Sequence, residues 1–385
     1  MPRASTMNYW RYYLAILTCV ILLNQAVAEE PEQGGWIYQP NLLRPFWKGD
    51  TVEGESVLFI RDEATGQGRA VVLFPVAEVL KVTDSTGETT YEERRDYVWK
   101  PESREIVLPA GSRIIAKTSQ DLRRPAGSQK YRLTHRDGNG EIFFGAKLEY
   151  HMMQTCVTYK KAKREWNGPK PTFDAKTLPK TIERLQNKEP LSIVLLGDSI
   201  STGCNASGWA EDAPFQPAYQ ELLRLHLGAT CETDVTLTNL SVGGTSTPWG
   251  VTMVDKVVEH KPHLVILAFG MNDSAGRSAD DYKANTQEMI ETIREKLPQA
   301  EFILVASMLG NRDWTTLKHE VFPQYRDALA GLCDQNNGVA LADLTSVWTE
   351  FLKVKQDWDL TGNGVNHPND FGHRVYAQVL SSLLV

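Results

Sequence analysis

Alternation between short apolar runs and helical segments in the second half of the chain constrains the fold more than any other feature. Near-continuous apolar strands separated by helices are typical of a parallel sheet that is covered on both faces. We therefore expect a three-layer α/β/α domain over residues 190–385. The predicted strands are 191–196, 235–240, 264–268, 302–306 and 339–342, and the predicted helices are 217–227, 247–259, 279–296, 320–336 and 371–384.

The first half of the chain has a different hydrophobic pattern. Between residues 30 and 165 the apolar runs are short and rich in β-branched residues, and turn signals such as PAG at 109–111 and DGNG at 137–140 separate them. This spacing predicts an all-β, antiparallel sandwich domain. A basic run at 160–164 and the sequence GPKP at 168–171 follow, so we expect a solvated linker over 166–189.

The amino terminus has the features of a secretory signal peptide. Arg3 and Arg11 precede an uncharged run at 12–23, and the small residues of the sequence AVA end at Ala28. The apolar run is shorter than the roughly 20 residues that a membrane-spanning helix needs. We expect cleavage of residues 1–28, a secreted or periplasmic protein, and no stable membrane insertion after cleavage.

Composition excludes several classes of function. The net charge is −7, whereas nucleic-acid binding normally requires a basic face. Five cysteines are too few for a disulfide-built scaffold; Cys204 and Cys231 flank a predicted helix and either pair or remain separate thiols. The metal-binding patterns HExxH and CxxC do not occur in the sequence, so we expect no metal site.

Four polar or glycine-containing segments follow predicted strands or precede the last helix. Because the carboxyl ends of parallel strands meet at one edge of the sheet, these segments are expected to converge. The residues concerned are Ser199, Gly244, Asn272 and His367.

This set of residue types is the one that acyl transfer requires. A serine hydroxyl becomes a nucleophile when a base such as histidine takes its proton. The backbone N–H groups of Ser199 and Gly244 and the side-chain amide of Asn272 are candidate donors to the oxyanion of the tetrahedral intermediate. The α/β-hydrolase elbow, GxSxG, is absent because Ser201 occupies its second glycine position.

These segments resemble the conserved blocks of the SGNH, or GDSL-type, hydrolase superfamily. The matching segments are GDS at 197–199, NLSVGG at 239–244, GMND at 270–273 and His367. The resemblance implies a serine ester hydrolase without a cofactor. It also implies that Ser199 is the nucleophile, that His367 is the base, and that Gly244 and Asn272 lie in the oxyanion hole.

One position departs from the family pattern. The family usually has an aspartate three residues before the histidine, and this chain has Gly364 there. We expect the main-chain carbonyl of Gly364 to orient His367 in a catalytic dyad, with the carboxylate of Asp357, Asp359 or Asp370 as the alternative. Asn205, which begins one of three Asn-x-Ser sequons, is interpreted as a coincidental sequon.

The two-domain arrangement with a dyad resembles carbohydrate esterase family two, in which a jelly-roll domain precedes the hydrolase. This resemblance implies removal of acetyl groups from a polysaccharide such as xylan. Trp209 and Trp249 follow the serine and glycine loops and either contact a sugar or pack in the protein interior. The alternatives are a lipase or thioesterase for longer acyl esters and a carbohydrate-binding protein that has lost catalysis.

Overall fold

The computed structural model describes residues 35–163 and 165–385, which form a β-rich part followed by an α/β part. The predicted signal peptide at 1–28 lies outside the described residues. Among the residues that are described, no helix is both long and apolar enough to cross a bilayer.

The β-rich part contains ten strands in three sheets. The first sheet is antiparallel and has the order β1-β10-β4, the second has the order β5-β6-β3-β2-β7, and β8 pairs with β9. The antiparallel prediction is confirmed except for β2 and β7, which are parallel. The strands are β1 Thr51–Val57, β2 Phe59–Arg61, β3 Gly68–Val71, β4 Val76–Asp84, β5 Val98–Trp99, β6 Glu105–Val107, β7 Ala116–Lys117, β8 Arg123–Arg124, β9 Glu141–Ile142 and β10 Thr155–Lys161.

The α/β part is built on one parallel sheet with the order β12-β11-β13-β14-β15. Every residue of β13 and β14 is buried, which explains why these strands are apolar on both faces. The five strands agree with the predicted runs to within two residues, and the α/β prediction is confirmed. The strands are β11 Leu191–Gly197, β12 Val235–Asn239, β13 Leu264–Ala268, β14 Glu301–Ala306 and β15 Val339–Asp343.

Nine helices surround or follow this sheet in the described residues. The predicted helix at 247–259 is two helices, α3 and α4, which are separated at Met253. The helices are α1 Pro179–Gln186, α2 Tyr219–Cys231, α3 Thr247–Thr252, α4 Val254–Glu259, α5 Ala279–Lys296, α6 Val321–Gln335, α7 Leu344–Phe351, α8 Asp357–Leu360 and α9 Asp370–Ser381.

The largest hydrophobic cluster contains buried side chains of both parts. Phe46 of the β-rich part contacts Trp166 and Phe351 with ring centroids 5.0 and 5.1 Å apart. The segment expected to be a linker, 166–189, contributes Trp166 and helix α1 to this core. The β-rich part is therefore packed against the α/β part through buried side chains.

A buried ion pair also joins the two parts. The Lys355 ammonium lies 2.6 Å from the Glu55 carboxylate, and both side chains are fully buried. Lys355 also donates to the carbonyl oxygen of Ser56, and the other Glu55 oxygen accepts from the Tyr159 hydroxyl. Buried charges require such partners, because an unpaired charge is costly to remove from water.

Candidate active site

Ser199 lies in the turn that follows β11. Gly197, the last residue of that strand, passes very close to its neighbours: a Cβ atom there would lie 2.5 Å from the Ser201 Oγ and 2.6 Å from the Ala268 carbonyl oxygen. Only glycine fits at that distance. The tight passage directs the chain into a turn at the carboxyl edge of the sheet, where Ser199 is 8% exposed.

His367 lies in the loop between α8 and α9, and a single buried side chain shapes this loop. The Asn363 Oδ1 accepts hydrogen bonds from the N–H groups of Val365, Asn366 and His367, at 2.9, 3.0 and 3.2 Å. The Gly362 N–H donates to the His367 carbonyl oxygen. The loop is thus closed by its own hydrogen bonds, and the histidine backbone is held in place.

The structure brings the predicted serine and histidine together. The His367 Nε2 lies 2.9 Å from the Ser199 Oγ, a distance typical of a hydrogen bond between a nucleophile and its base. The other ring nitrogen, Nδ1, lies 2.7 Å from the Oδ1 of Asn205. The histidine is therefore bonded on both sides.

The predicted partners of the histidine Nδ1 are wrong. The Gly364 carbonyl oxygen accepts instead from the Asn311 side-chain amide at 2.8 Å. The Asp359 carboxylate accepts from the Leu58 and Gln356 N–H groups, at 2.8 and 3.0 Å, so it caps α8 and ties it to the β-rich part.

Sequence reasoning missed Asn205. The one clue in the sequence was its place in the loop after the serine. In the structure its backbone is αL, with φ of 66°, a conformation that asparagine tolerates. The sequence alone gives no sign that this loop returns to face His367.

Three donors lie in the region expected for an oxyanion hole. Within residues 35–163 and 165–385, the N–H groups of Ser199 and Gly244 donate to no protein acceptor. The glycine turn lies beside the serine, since a Cβ on Gly243 would be 3.6 Å from the Ser199 Cβ. The Asn272 amide donates to the Thr245 carbonyl oxygen at 2.8 Å, and an amide nitrogen carries a second proton.

A sequence comparison agrees with this geometry. Residues 195–375 match the family model described as the GDSL-like Lipase/Acylhydrolase family, and the match includes all four predicted loops. Over these residues the α/β part of the chain is similar to a family of lipases and acylhydrolases. Comparison with curated proteins gives no match.

Solved structures with a similar fold include several esterases at low sequence identity. A two-domain esterase (CEX) active on acetylated mannans is 20% identical, with a TM-score of 0.45 over 56% of this chain and 54% of that one, so the match spans about half of its length. The acetyl xylan esterase AlAXEase is 22% identical, with a TM-score of 0.41 over 51% of this chain and 100% of that one. A lipolytic G-D-S-L protein from Veillonella parvula is 21% identical, with a TM-score of 0.40 over 49% of this chain and 96% of that one.

The protonation of His367 is set by its surroundings in the α/β part. Burial, together with a smaller effect of the neighbouring His373, lowers the pKa of the imidazole to about 3. Burial likewise lowers the pKa of His373 to about 4. His367 is therefore neutral at pH 7, the form that accepts a proton from serine.

Two buried acidic side chains hold the loops of the candidate site in place. Asp198 accepts from the Ile200 N–H at 2.9 Å within the serine turn, and burial raises the pKa of Asp198 to about 7. Asp273 accepts from the Thr247 hydroxyl at 2.6 Å and from the Arg277 guanidinium at 2.8 Å. Asp273 thus holds the start of α3, just after the glycine turn, against the Asn272 loop.

The two tryptophans that were predicted as candidate sugar contacts differ in exposure. Trp209 is 43% exposed, on the loop that leaves the serine turn. Trp249 packs in α3 with its ring 6.4 Å from that of Phe269, against the core on one face of the sheet. Of the two, Trp209 presents its ring to solvent, and Trp249 is largely a packing residue.

The cysteines in the described residues are separate thiols. Cys204 and Cys231 do not pair with each other. The Cys204 Sγ lies 3.3 Å from the Thr202 hydroxyl.

Proposed function

We propose that this enzyme removes acetyl groups from a polysaccharide, xylan or a similar glycan, through an acyl-serine intermediate. The observation that carries the proposal is the 2.9 Å contact between the Ser199 Oγ and the His367 Nε2, next to N–H groups that have no acceptor in the described residues. Cleavage of residues 1–28 would place the enzyme in the periplasm or outside the cell, where such polymers occur.

In the first half of the reaction, the His367 Nε2 takes the Ser199 proton while the Oγ attacks the acetyl carbonyl carbon. The carbonyl oxygen becomes an oxyanion and accepts hydrogen bonds from the N–H groups of Ser199 and Gly244 and from the Asn272 amide. His367 then returns its proton to the sugar oxygen, the C–O bond breaks, and the glycan leaves as an alcohol. Fixed donors of this kind typically contribute about 3–4 kcal/mol each to stabilising the transition state.

In the second half, water replaces the sugar. His367 takes a proton from the water molecule, and the hydroxide formed attacks the acetyl-serine. When the second tetrahedral intermediate collapses, the Ser199 Oγ receives the proton and acetate is released. The same base and the same three donors therefore serve both halves, which is why no further titrating group is required.

Trp209 supports a sugar substrate. Its ring is exposed on the loop that leads away from the nucleophile, and an aromatic face can pack against the apolar face of a sugar ring. The sequence resemblance to carbohydrate esterase family two supports the same substrate class.

The test measures acetate released from acetylated xylan by the purified protein and by Ser199→Ala. Parallel assays use an aryl acetate and a long-chain aryl ester. We expect acetate from xylan and from the aryl acetate, with loss of both in Ser199→Ala. Activity confined to the long-chain ester would overturn the acetyl assignment, and glycan binding without hydrolysis of any ester would overturn the enzymatic one.

A further inference from the structure

The amide of Asn205 lies at a junction of three loops, where it is 1% exposed. Its Oδ1 is 2.7 Å from the His367 Nδ1. Its Nδ2 is 2.6 Å from the carbonyl oxygen of Lys147 in the β-rich part and 3.4 Å from that of Gly362. Two sides of one amide therefore contact the catalytic histidine loop and the first part of the chain.

These contacts fix the orientation of the amide and the tautomer of the histidine. A carbonyl oxygen only accepts hydrogen bonds, so the side of Asn205 that faces Lys147 and Gly362 must be its NH₂ group. The oxygen then faces His367, whose Nδ1 must carry the proton. The Nε2 is consequently unprotonated and accepts the proton of Ser199.

We propose that Asn205 is the positioning residue for His367, and that the β-rich part sets its orientation through the Lys147 carbonyl. This inference rests on the proposed function, because it assigns a role in the same proton transfer. In the well-studied serine protease triad, replacing aspartate by asparagine costs about 10⁴ in kcat because the tautomer is wrong. Here two carbonyl groups turn the amide so that the correct tautomer results.

The geometry also explains why an amide suits this position better than a carboxylate. An amide donates to the Lys147 carbonyl oxygen and accepts from His367 at the same time. An ionised carboxylate has no proton for the 2.6 Å contact with that carbonyl oxygen. A neutral partner is also compatible with the low pKa of His367, because an adjacent negative charge would raise it.

The segment that carries Lys147 is held against the histidine loop at a second point. The Gly145 N–H donates to the Asn363 carbonyl oxygen at 3.1 Å. A Cβ on Gly145 would lie 2.7 Å from the Tyr150 backbone nitrogen and 2.8 Å from its Cβ, so a larger residue must displace this segment. Displacement of the segment moves the Lys147 carbonyl away from Asn205.

The first experiment reads the tautomer of His367 by ¹⁵N NMR of histidine-labelled protein at pH 7, with the resonances assigned by comparison with His367→Ala. We expect a protonated Nδ1 and an unprotonated Nε2 in the wild type. In Asn205→Gly, which keeps an αL backbone accessible, we expect a mixture of tautomers and at least a tenfold loss of kcat on an aryl acetate with little change in KM. His373 is the titratable neighbour that acts on His367, and it stays neutral at this pH.

The matched control is Asn336→Gly. Asn336 follows α6 and precedes β15, at the edge of the sheet opposite Ser199, and its amide donates to the Leu332 carbonyl oxygen. We expect this variant to keep the wild-type tautomer and kcat.

The second experiment tests the contribution of the β-rich part. Gly145→Ala is compared with Gly87→Ala, which lies in an open turn of the same part with φ of 77° and has no atom within 4 Å of the added Cβ. Both are expected to lower the melting temperature, but only Gly145→Ala should mix the His367 tautomers and lower kcat.

Two outcomes would overturn the inference. One is a wild-type tautomer and kcat in Asn205→Gly, and the other is equal tautomer populations in Gly145→Ala and Gly87→Ala. Because the NMR measurement needs no substrate, it still decides the positioning role if the wild type hydrolyses none of the esters. An inactive wild type with the predicted tautomer would refute the proposed function alone.

Discussion

Burial decides the protonation of His367, and this leads to a prediction about pH. The imidazole has a pKa lowered to about 3, below the ordinary value of about 6.5. The base must be neutral to act, so its activity is lost only as the pH falls through the lowered value. We expect kcat/KM on an aryl acetate to stay level from pH 7 down to pH 5.

The measurement is a pH–rate profile in buffers of constant ionic strength. Burial raises the pKa of Asp198 in the serine turn to about 7, so the profile is also measured in Asp198→Asn. A decrease centred near pH 6.5 that persists in this variant would contradict the prediction, because it would mean that His367 titrates as an ordinary solvated histidine. Residual activity of His367→Ala at the wild-type level would contradict the role of the histidine as base.

Asn363 holds the loop that carries His367, and its replacement should lower both stability and activity. Asn363→Ala removes the acceptor for three backbone N–H groups in a buried loop. The net contribution of one hydrogen bond to stability is about 1 kcal/mol. We therefore expect the free energy of unfolding to fall by roughly 2–4 kcal/mol and kcat to fall at least tenfold. Urea unfolding and initial rates measure the two effects, with Asn336→Ala as an amide control that should lose stability only.

At the scale of single residues, the sequence identified the serine and the histidine because their residue types are typical of acyl transfer. Ser199 and His367 were predicted from their types and their positions after strands, and the structure brings them into contact. Asn205 could not be found in the same way, because its contact with His367 depends on how two distant loops fold against each other. An asparagine is also common in turns for local reasons.

At the scale of elements, burial explains which predictions were right. The strands of the parallel sheet are buried on both faces, so they appear in the sequence as apolar runs. Helix α5 buries one face, and its predicted limits, 279–296, are those observed. The segment 166–189 looked polar because only a few of its side chains enter the core, and yet it contains α1. The buried apolar residues of the segment are Trp166, Leu178, Ile182 and Leu185.

The exposed loop after the serine supports a prediction about substrate binding. Trp209 and Phe173 are both 43% exposed, but only Trp209 follows the nucleophile. A stacking contact is worth about 0.5–1.5 kcal/mol, so Trp209→Ala should raise KM for acetylated xylan by roughly threefold to tenfold. KM for a small aryl acetate should not change.

Phe173→Ala serves as the control in both assays and should resemble the wild type. An equal effect of Trp209→Ala on the polymer and on the aryl ester would argue that this ring supports the fold of the loop rather than a sugar.

At the scale of the whole molecule, the buried pair Lys355 and Glu55 ties the two parts together. Lys355→Met leaves the Glu55 carboxylate buried without its cation, and breaking such a pair typically costs about 3–5 kcal/mol. We expect this loss in urea unfolding and partial recovery in the double variant with Glu55→Gln.

The control for that experiment is the neighbouring pair of Lys353 and Glu350, in which the lysine side chain is 63% exposed. Lys353→Met should cost less than about 1 kcal/mol. If the two lysine variants unfolded at the same urea concentration, the buried pair would not be a significant link between the parts.

The sequence did not indicate how closely the two parts are joined. Trp166 lies in the segment that was predicted to be a solvated linker, and only the folded chain places it and Phe46 against Phe351. Such contacts connect residues that are far apart in the sequence, and no local pattern encodes them.

The measurement that tests the central claim most directly is covalent labelling by a serine-directed fluorophosphonate, followed by peptide mass spectrometry. We expect a single adduct on Ser199, no adduct in Ser199→Ala and a much slower reaction in His367→Ala. An adduct on a different residue, or labelling that is equally fast without His367, would contradict the account of a serine activated by this histidine.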